Sequence, residues 1–461
     1  MTNRNTEFQS QQHRKRIGRH AVRLEAVDFF NLLTGSELLE RTEAYLPEHR
    51  ERLYPPTLTL SMFMKQALNE DRSCQRAVNG WAAQRAADGL SVHSVSTGGY
   101  CKARQRLPMQ MVVELTRATG RLLSAQAHPH WRWRGRAVKL VDGTGISMPD
   151  TLANQARYPQ PSSQAKGVGF PIARAVGVIC LSTGAVLDAA LGALEGQGHS
   201  ELALFRCLLD AFCPGDVMLA DALYCSYFLI ATLQQCAVDV VFEQNGSRTT
   251  DFCRGHRLGV RDHQVRWNKP EQRPQWMTQE QYRAFPDELT VRELEVQGRV
   301  LVTTLLDARK VRKAELSQLY AQRWNVELDL RNIKTTLGVE VLSCLTPQMV
   351  DKEWWVHLLA YNLIRMLMAQ AALEAEVHPR QISFKHTVQL CTEWTSQRLH
   401  LDIALRDTGL FRLIAQMTVA DRPGRREPRA RKRRPKPYPW LKVPRAQARQ
   451  QIRTYGQFRN A

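Results

Sequence analysis

No two of the ten cysteines in this chain stand in a C-x2-C pair. They lie at 74, 101, 180, 207, 213, 225, 236, 253, 344 and 391, a scatter that indicates neither a zinc site nor a disulfide framework. They read as reduced, cytoplasmic thiols. Long apolar runs are also missing: none approaches the ~20 residues of a membrane-spanning helix. The start, MTNRNTEFQSQQHRKR, lacks the apolar core of a secretion signal. No internal repeat is evident. Acidic residues are in short supply, 44 Asp and Glu against 64 Lys and Arg, for a net charge of +20. That excess favours a polyanionic partner, most simply nucleic acid, over a membrane surface. What is present is apolar content of 43% over 461 residues, enough for two or three domains with a sizeable core.

Taken in order, residues 1–24 are basic (His13 to Arg16, Arg19, Arg23) and read as a mobile arm. Residues 25–130 have a helical pattern, with amphipathic stretches at Leu58–Leu68 and Ser73–Ala87. The run TGGYCKARQRL brings Lys102, Arg104 and Arg106 together. The segment reads as a helical DNA-binding domain, or alternatively as a helical cap on the next domain. Strand patterns begin at Ala137–Val141, which runs into Asp142-Gly143-Thr144. A carboxylate ending an apolar strand can hold a metal at a sheet edge, and the same residues can make an Asp-Gly turn. A hairpin comes next (Ile172–Leu181 and Ala185–Leu194 over Ser182-Thr-Gly184), then a helix at 200–212. Val217–Ala220 is a short strand ending in Asp221-Ala-Leu-Tyr224, before a helix at 226–236 and a strand at Val238–Phe242. The order is β-β-β-α-β-α-β. Residues 244–309 carry basic, strand-like pieces with a turn near Gln297-Gly298. After a core-like helix at Trp354–Ala372, helical patterns run to 420, and 421–461 reads as a disordered basic tail with sequence-independent affinity for phosphate.

Between Ala314 and Leu337 there is no Pro or Gly, and Gly338 ends the run, so one long helix is expected. At about 100° per residue, Tyr320, Arg323, Glu327 and Lys334 fall within an arc of roughly 60°. Leu319, Trp324, Val326, Leu330 and Ile333 are left to bury the rest. A phenol, a guanidinium, a carboxylate and an ammonium on one face suit a phosphodiester beside a metal ion, although charged helix faces are more often only solvated.

The spacing Y-x2-R-x3-E-x6-K of those four residues resembles the signature of the IS-four family of bacterial DDE transposases. Asp142-Gly-Thr resembles the family's first acidic motif, and Asp221 with Tyr224 its second, D-x2-Y. The resemblance covers roughly Val138 to Ile364. It implies an α/β chain with a ribonuclease H-like core in two parts (131–243 and 310–375), in which the first and fourth strands are neighbours. A β-rich insertion (244–309), the N-terminal helical domain and a helical C-terminal region (376–420) complete the layout. It implies catalytic, metal-holding carboxylates at Asp142, Asp221 and Glu327 with two Mg2+ or Mn2+ ions, hard cations that prefer oxygen donors. Arg323, Lys334 and Tyr320 would contact phosphate, as would Arg248 in Asn245-Gly-Ser-Arg248. In relatives that use a hairpin intermediate, an insertion aromatic holds a flipped base; Trp267 and Trp276 are both candidates. The expected partners are double-stranded terminal inverted repeats and target DNA, bound by a homodimer with no membrane involved, in the bacterial cytoplasm at the nucleoid. Two other readings use the same residues: a metal-dependent nuclease that cuts without joining, and a DNA-binding regulator with an idle acidic triad.

Overall fold

The computed structural model describes residues 53–396, 403–419 and 441–456, apart from 88, 92, 93 and 197. The basic arm expected at 1–24 and the Arg- and Lys-rich run at 422–436 lie outside the described residues. Among the described residues, four helices come first: α1 (Pro56–Leu68), α2 (Cys74–Ala87), α3 (Gly98–Arg106) and α4 (Met109–Ala125). Pro56 opens α1 in its first turn, where a missing N–H costs nothing. The two helices with a clear apolar face, α1 and α4, contribute Leu60, Phe63, Met111, Val112 and Leu115 to the main core. Of the three basic residues expected together on α3, Lys102 and Arg106 are exposed and Arg104 is not. The Arg104 guanidinium lies 3.9 Å over the Phe63 ring and donates to the Sγ atoms of Cys74 (2.8 Å) and Cys344 (3.1 Å). Cation–π and thiol contacts hold it inside, so it belongs to the packing and not to a basic surface.

The next region alternates strand and helix. It comprises β1 (Val138–Ser147), α5 (Leu152–Arg157), β2 (Ile172–Cys180), β3 (Val186–Ala193), α6 (Glu201–Arg206), β4 (Val217–Ala220), α7 (Tyr227–Gln235) and β5 (Asp239–Glu243). After these come β6 (His256–Gly259), β7 (Asp262–Asn268), α8 (Gln279–Ala284), β8 (Glu288–Val296) and β9 (Arg299–Thr303). The nine strands among the described residues form one mixed sheet in the order β3-β2-β1-β4-β5-β9-β8-β7-β6. β1, β4 and β5 run parallel, while β2 and β3 pair antiparallel with their neighbours. The strands of the 244–309 segment extend this sheet: β9 pairs antiparallel with β5, Val241 opposite Thr303. Gln297 and Gly298 both have positive φ (52° and 78°), as a two-residue turn between twisted strands requires.

One expectation needs correcting at β1. The strand does not end at Asp142 but continues to Ser147, paired with β2 throughout. What stops near Asp142 is the parallel ladder to β4, which reaches only Leu140 opposite Leu219. Two residues further along each strand, Asp142 and Asp221 stand abreast at the point where the sheet splits.

The expected single helix is also more complex. α9 (Lys313–Ala321) passes through a 3-10 turn (Gln322–Trp324) into α10 (Asn325–Arg331), which ends in a π turn (Asn332–Thr336). Gly338 then stops it at φ +65°, in the left-handed region. The 3-10 turn is tighter than an α turn, and Trp324 within it is 55% exposed instead of buried. Leu319, Val326, Leu330 and Ile333 do enter the core.

Beyond lie α11 (Pro347–Glu374), α12 (Phe384–Ser396), α13 (Ile403–Gln416) and α14 (Arg445–Tyr455). α11 is long and apolar enough to cross a membrane, but it is mostly buried within the molecule. It is the central core helix. α14 falls in the tail expected to be disordered. Pro444 at its start packs on Gly167, and Arg445 lies over the Phe170 ring.

The core has two sides. Leu140, Leu219, Leu330 and Val356 belong to one cluster, with α1, α4, α9, α10 and α11. Val141, Met218, Phe205 and Ile230 belong to the other, with α6 and α7. Side chains alternate along β1 between these layers.

Candidate active site

The carboxylate of Asp142 is placed by β1, and its Oδ1 accepts the N–H of Gly143 at 2.8 Å. Burial pushes its pKa up to about 6, against the lowering effect of that hydrogen bond; the charges of Glu201 and Asp221 push the same way, and Arg323 opposes them. Asp221 comes directly after β4, and its Oδ1 accepts the Leu223 N–H at 2.9 Å, which fixes the turn leaving the strand. Glu327 sits in the first turn of α10 and pairs with Arg323 Nη2 at 3.1 Å. Burial works against the Arg323 guanidinium, but Tyr320, Glu327 and Asp142 hold its pKa above the ordinary value. Arg323 thus lies between Glu327 and the Asp142 edge. Three acids from two parallel strands and one helix, with a guanidinium among them, are brought to one end of the sheet.

The remaining expected residues are not all free to act. The Tyr320 hydroxyl donates to Glu243 Oε2 at 3.2 Å, at the end of β5, and Arg299 shares that carboxylate at 3.2 Å. Burial raises the Tyr320 pKa well above its usual range. Lys334 lies half-buried on the π turn. Turns of this kind are frequent at functional sites. Arg248 is exposed, its guanidinium 3.9 Å over the Trp267 ring. The two insertion tryptophans differ sharply. Trp267 is only 3% exposed and donates its indole N–H to Glu293 Oε1 at 2.8 Å. Trp276 is 49% exposed, with Arg206 stacked 4.1 Å from its centroid. Packing of the insertion accounts for Trp267, and the Trp276 ring stays half exposed beside Arg206.

Sequence reasoning missed Glu201. It opens α6 behind the Ser200 cap, whose hydroxyl accepts the Ala203 N–H at 3.2 Å. The Tyr224 hydroxyl donates to its Oε1 at 3.0 Å. Burial and then Asp221 raise its carboxyl above the usual range, although the bond from Tyr224 opposes them. No spacing links residues 143, 201 and 224 in the sequence, so no motif points to it. Among the described residues, no three His, Cys, Asp or Glu side chains converge closely enough to hold a metal ion as they stand. Asp142, Glu201 and Asp221 are nevertheless near enough for their charges to act on one another.

Glu327 is held by its helix. Asp329, fully buried two residues on, accepts from Arg365, from Arg380 Nη2 at 2.9 Å and from the Tyr361 hydroxyl at 3.2 Å. Arg365 and Tyr361 belong to α11. The acidic helix is therefore bolted to the central core helix.

Acidic side chains meeting basic ones at the split of a mixed sheet are suited to phosphodiester chemistry. The family model described as "Transposase DDE domain" matches residues 133–363, half of the chain. The transposase InsG for insertion sequence element IS4 of Escherichia coli (strain K12) is 28% identical over 365 residues, 75% of this chain and 78% of that one. A solved structure, the piggyBac transposase synaptic complex with hairpin DNA, covers 87% of this chain and 86% of its own at 9% identity and a TM-score of 0.42. The chain belongs to the DDE transposase family, in its IS4 group. It is an enzyme of DNA transposition, and enzymes of this family use divalent metal ions.

Proposed function

We propose that this transposase moves an insertion sequence by cut-and-paste, cleaving and rejoining strands at terminal inverted repeats, with Asp142, Asp221 and Glu327 as its acidic triad. The observation that carries the assignment is the meeting of β1 and β4. Parallel neighbours in register bring two motif carboxylates abreast, and Glu327 reaches the same edge through Arg323. The strand order β3-β2-β1-β4-β5 supports a ribonuclease H-like core over 131–243 and 310–375, with 244–309 inserted along the same sheet.

The donor set fits a hard divalent cation such as Mg2+ or Mn2+. All three ligands are carboxylates, and the pKa of Asp142, raised first by burial and then by the charges of Glu201 and Asp221, is one that a bound cation would lower. Held by Asp142, Asp221 and Glu327, a pair of such ions would supply activation of the attacking oxygen and stabilisation of the leaving one. The chain's own groups do the rest. Arg323 presents a forked donor to a phosphate and Lys334 a point charge. Arg248 offers a second phosphate contact on the insertion, and Trp276 an open ring for an unstacked base. Tyr320 orients β5's end through Glu243 before it can meet a phosphate. The exposed Lys102 and Arg106 of α3 support reading the N-terminal helices as a DNA-facing surface. A homodimer across two DNA ends, acting in the bacterial cytoplasm, completes the reading.

The test that separates it from a nuclease or a regulator is strand transfer. Purified protein, two copies of its element's end and a supercoiled target should yield joined products in Mg2+. Cleaved ends that are never joined would favour the nuclease; bound ends left intact would favour the regulator.

A further inference from the structure

From Leu441 to Ala461 there is no Asp or Glu, and the basic residues of α14 fall on one face. Arg445, Arg449 and Arg453 stand four apart, so each is turned about 40° from the last and the three share an arc of about 80°. All three are exposed, and among the described residues none pairs with a carboxylate; Arg445 lies 5.4 Å over the Phe170 ring. A solvated helix face gains by matching its cations with acids three or four residues away, and α14 has none to offer. Where the helix sits is equally definite. Pro444 lies 3.2 Å from where a Cβ on Gly167 would stand, and Ala448 is buried. Gly167 and Phe170 belong to the loop that leads from α5 into β2. Gln160 Oε1 fixes that loop by accepting the N–H groups of Gly167 at 3.0 Å and Gly169 at 3.1 Å. β1 and β2 stay paired from Asp142 to Ser147, which carries the connection between them about 17 Å past Asp142. α14 is therefore held at the end of the sheet where the acids lie. Arg157, closing α5, and Lys166, beside Gly167, are exposed there as well.

We propose that α14 is a clamp on the DNA backbone, its Arg445, Arg449 and Arg453 gripping phosphates of the duplex within about one helical turn, some 10 base pairs, of the point of cutting. The proposal rests on the reading of Asp142, Asp221 and Glu327 as the cutting site. The dimensions agree. At 1.5 Å per residue the stripe from Arg445 to Arg453 is about 12 Å long, and one DNA strand advances 3.4 Å per nucleotide, so three guanidiniums span three or four successive phosphates. Each can make the forked contact that a phosphate accepts best. Such contacts carry no sequence information and serve to fix the duplex in place. Ile452 and Tyr455 are exposed on the same helix, which makes a second copy of the chain the rival occupant. A two-fold contact between two such helices would set one arginine stripe near the other, like charge against like.

The test compares the full-length wild type with Arg449→Gln/Arg453→Gln on a labelled duplex carrying the host element's end. Affinity is read by anisotropy between roughly 50 and 200 mM salt, and the contact by hydroxyl-radical protection. With two phosphate contacts gone, the salt-driven loss of affinity should be about tenfold smaller in the double variant, and protection within about one turn of the element boundary should disappear. Arg449→Lys/Arg453→Lys keeps the charge and should keep both. A Gln variant with the wild-type salt response and protection would overturn the proposal, as would a Lys variant that loses as much as the Gln variant. Loss of self-association by the Gln variant in sedimentation without DNA, with its salt response unchanged, would assign α14 to a second copy and overturn it too. If the double variant does not fold, Arg453→Gln alone decides, with about a threefold change expected and none overturning the proposal. A wild type that gives no protection at the element boundary would remove the cutting-site reading, and the proposal with it.

Discussion

Asp142 carries an electrostatic liability. Its folded carboxyl holds a proton up to about pH 6, well above its unfolded value near 4. The native state therefore binds the extra proton in that window, and stability falls as pH rises through it. Above it the ionised group is a net cost in the absence of a cation. Asp142→Asn should raise stability at neutral pH in EDTA by about 1–3 kcal/mol, read as a higher urea midpoint, and should flatten the pH dependence between about 4 and 6. An unchanged midpoint would mean that the carboxylate is not under this strain. The two insertion tryptophans give a contrasting pair. Trp267→Ala should cost about 3–5 kcal/mol, as expected for emptying a filled core site. Trp276→Ala should change stability by less than about 0.5 kcal/mol while impairing cleavage of a DNA end. Equal destabilisation by both would contradict their different burial.

Among the elements, α10 is the one on which the site depends. Asp329 anchors it to α11 through Arg365 and Tyr361, and to Arg380 beyond. Removing one partner of a buried pair leaves the others uncompensated. Asp329→Asn should therefore cost about 3–5 kcal/mol in denaturant unfolding, a loss that an ordinary solvated helix face would not show. The elements were legible in the sequence to different degrees, for physical reasons. β2, β3 and the β8–β9 turn are dictated by apolar strand patterns and by Gly298 at positive φ, which are local signals. The acidic helix was legible as a helix, but not its 3-10 and π turns, because α propensity does not encode where tertiary packing overwinds or underwinds a helix. Trp324 was misplaced for that reason. Arg104 was misplaced because its partners, Cys74 and Cys344, come from distant segments. Asp142, Asp221 and Glu327 could be picked out as candidates because their spacing matches a known signature. Glu201 could not, since only the folded sheet brings it to Gly143.

At the scale of the whole molecule, the net charge of +20 and the basic residues of α3 bear on DNA affinity more than on the fold. If several phosphates are neutralised at once, counterion release should dominate binding. Affinity for non-cognate duplex should fall about a thousandfold or more between roughly 50 and 200 mM salt, measured by fluorescence anisotropy, and a flat salt response would contradict it. The sheet, the bolted helix and the basic surface support one proposal: that Glu327, with Asp142 and Asp221, makes this chain cut DNA. The most direct measurement uses a labelled fragment carrying the host element's end, incubated with wild type and Glu327→Ala in Mg2+, Ca2+ and EDTA. The account predicts Mg2+-dependent nicking at the element boundary by the wild type alone, with DNA binding retained by the variant. Cleavage that survives Glu327→Ala, or a wild type that binds its cognate end and never nicks it, would contradict it.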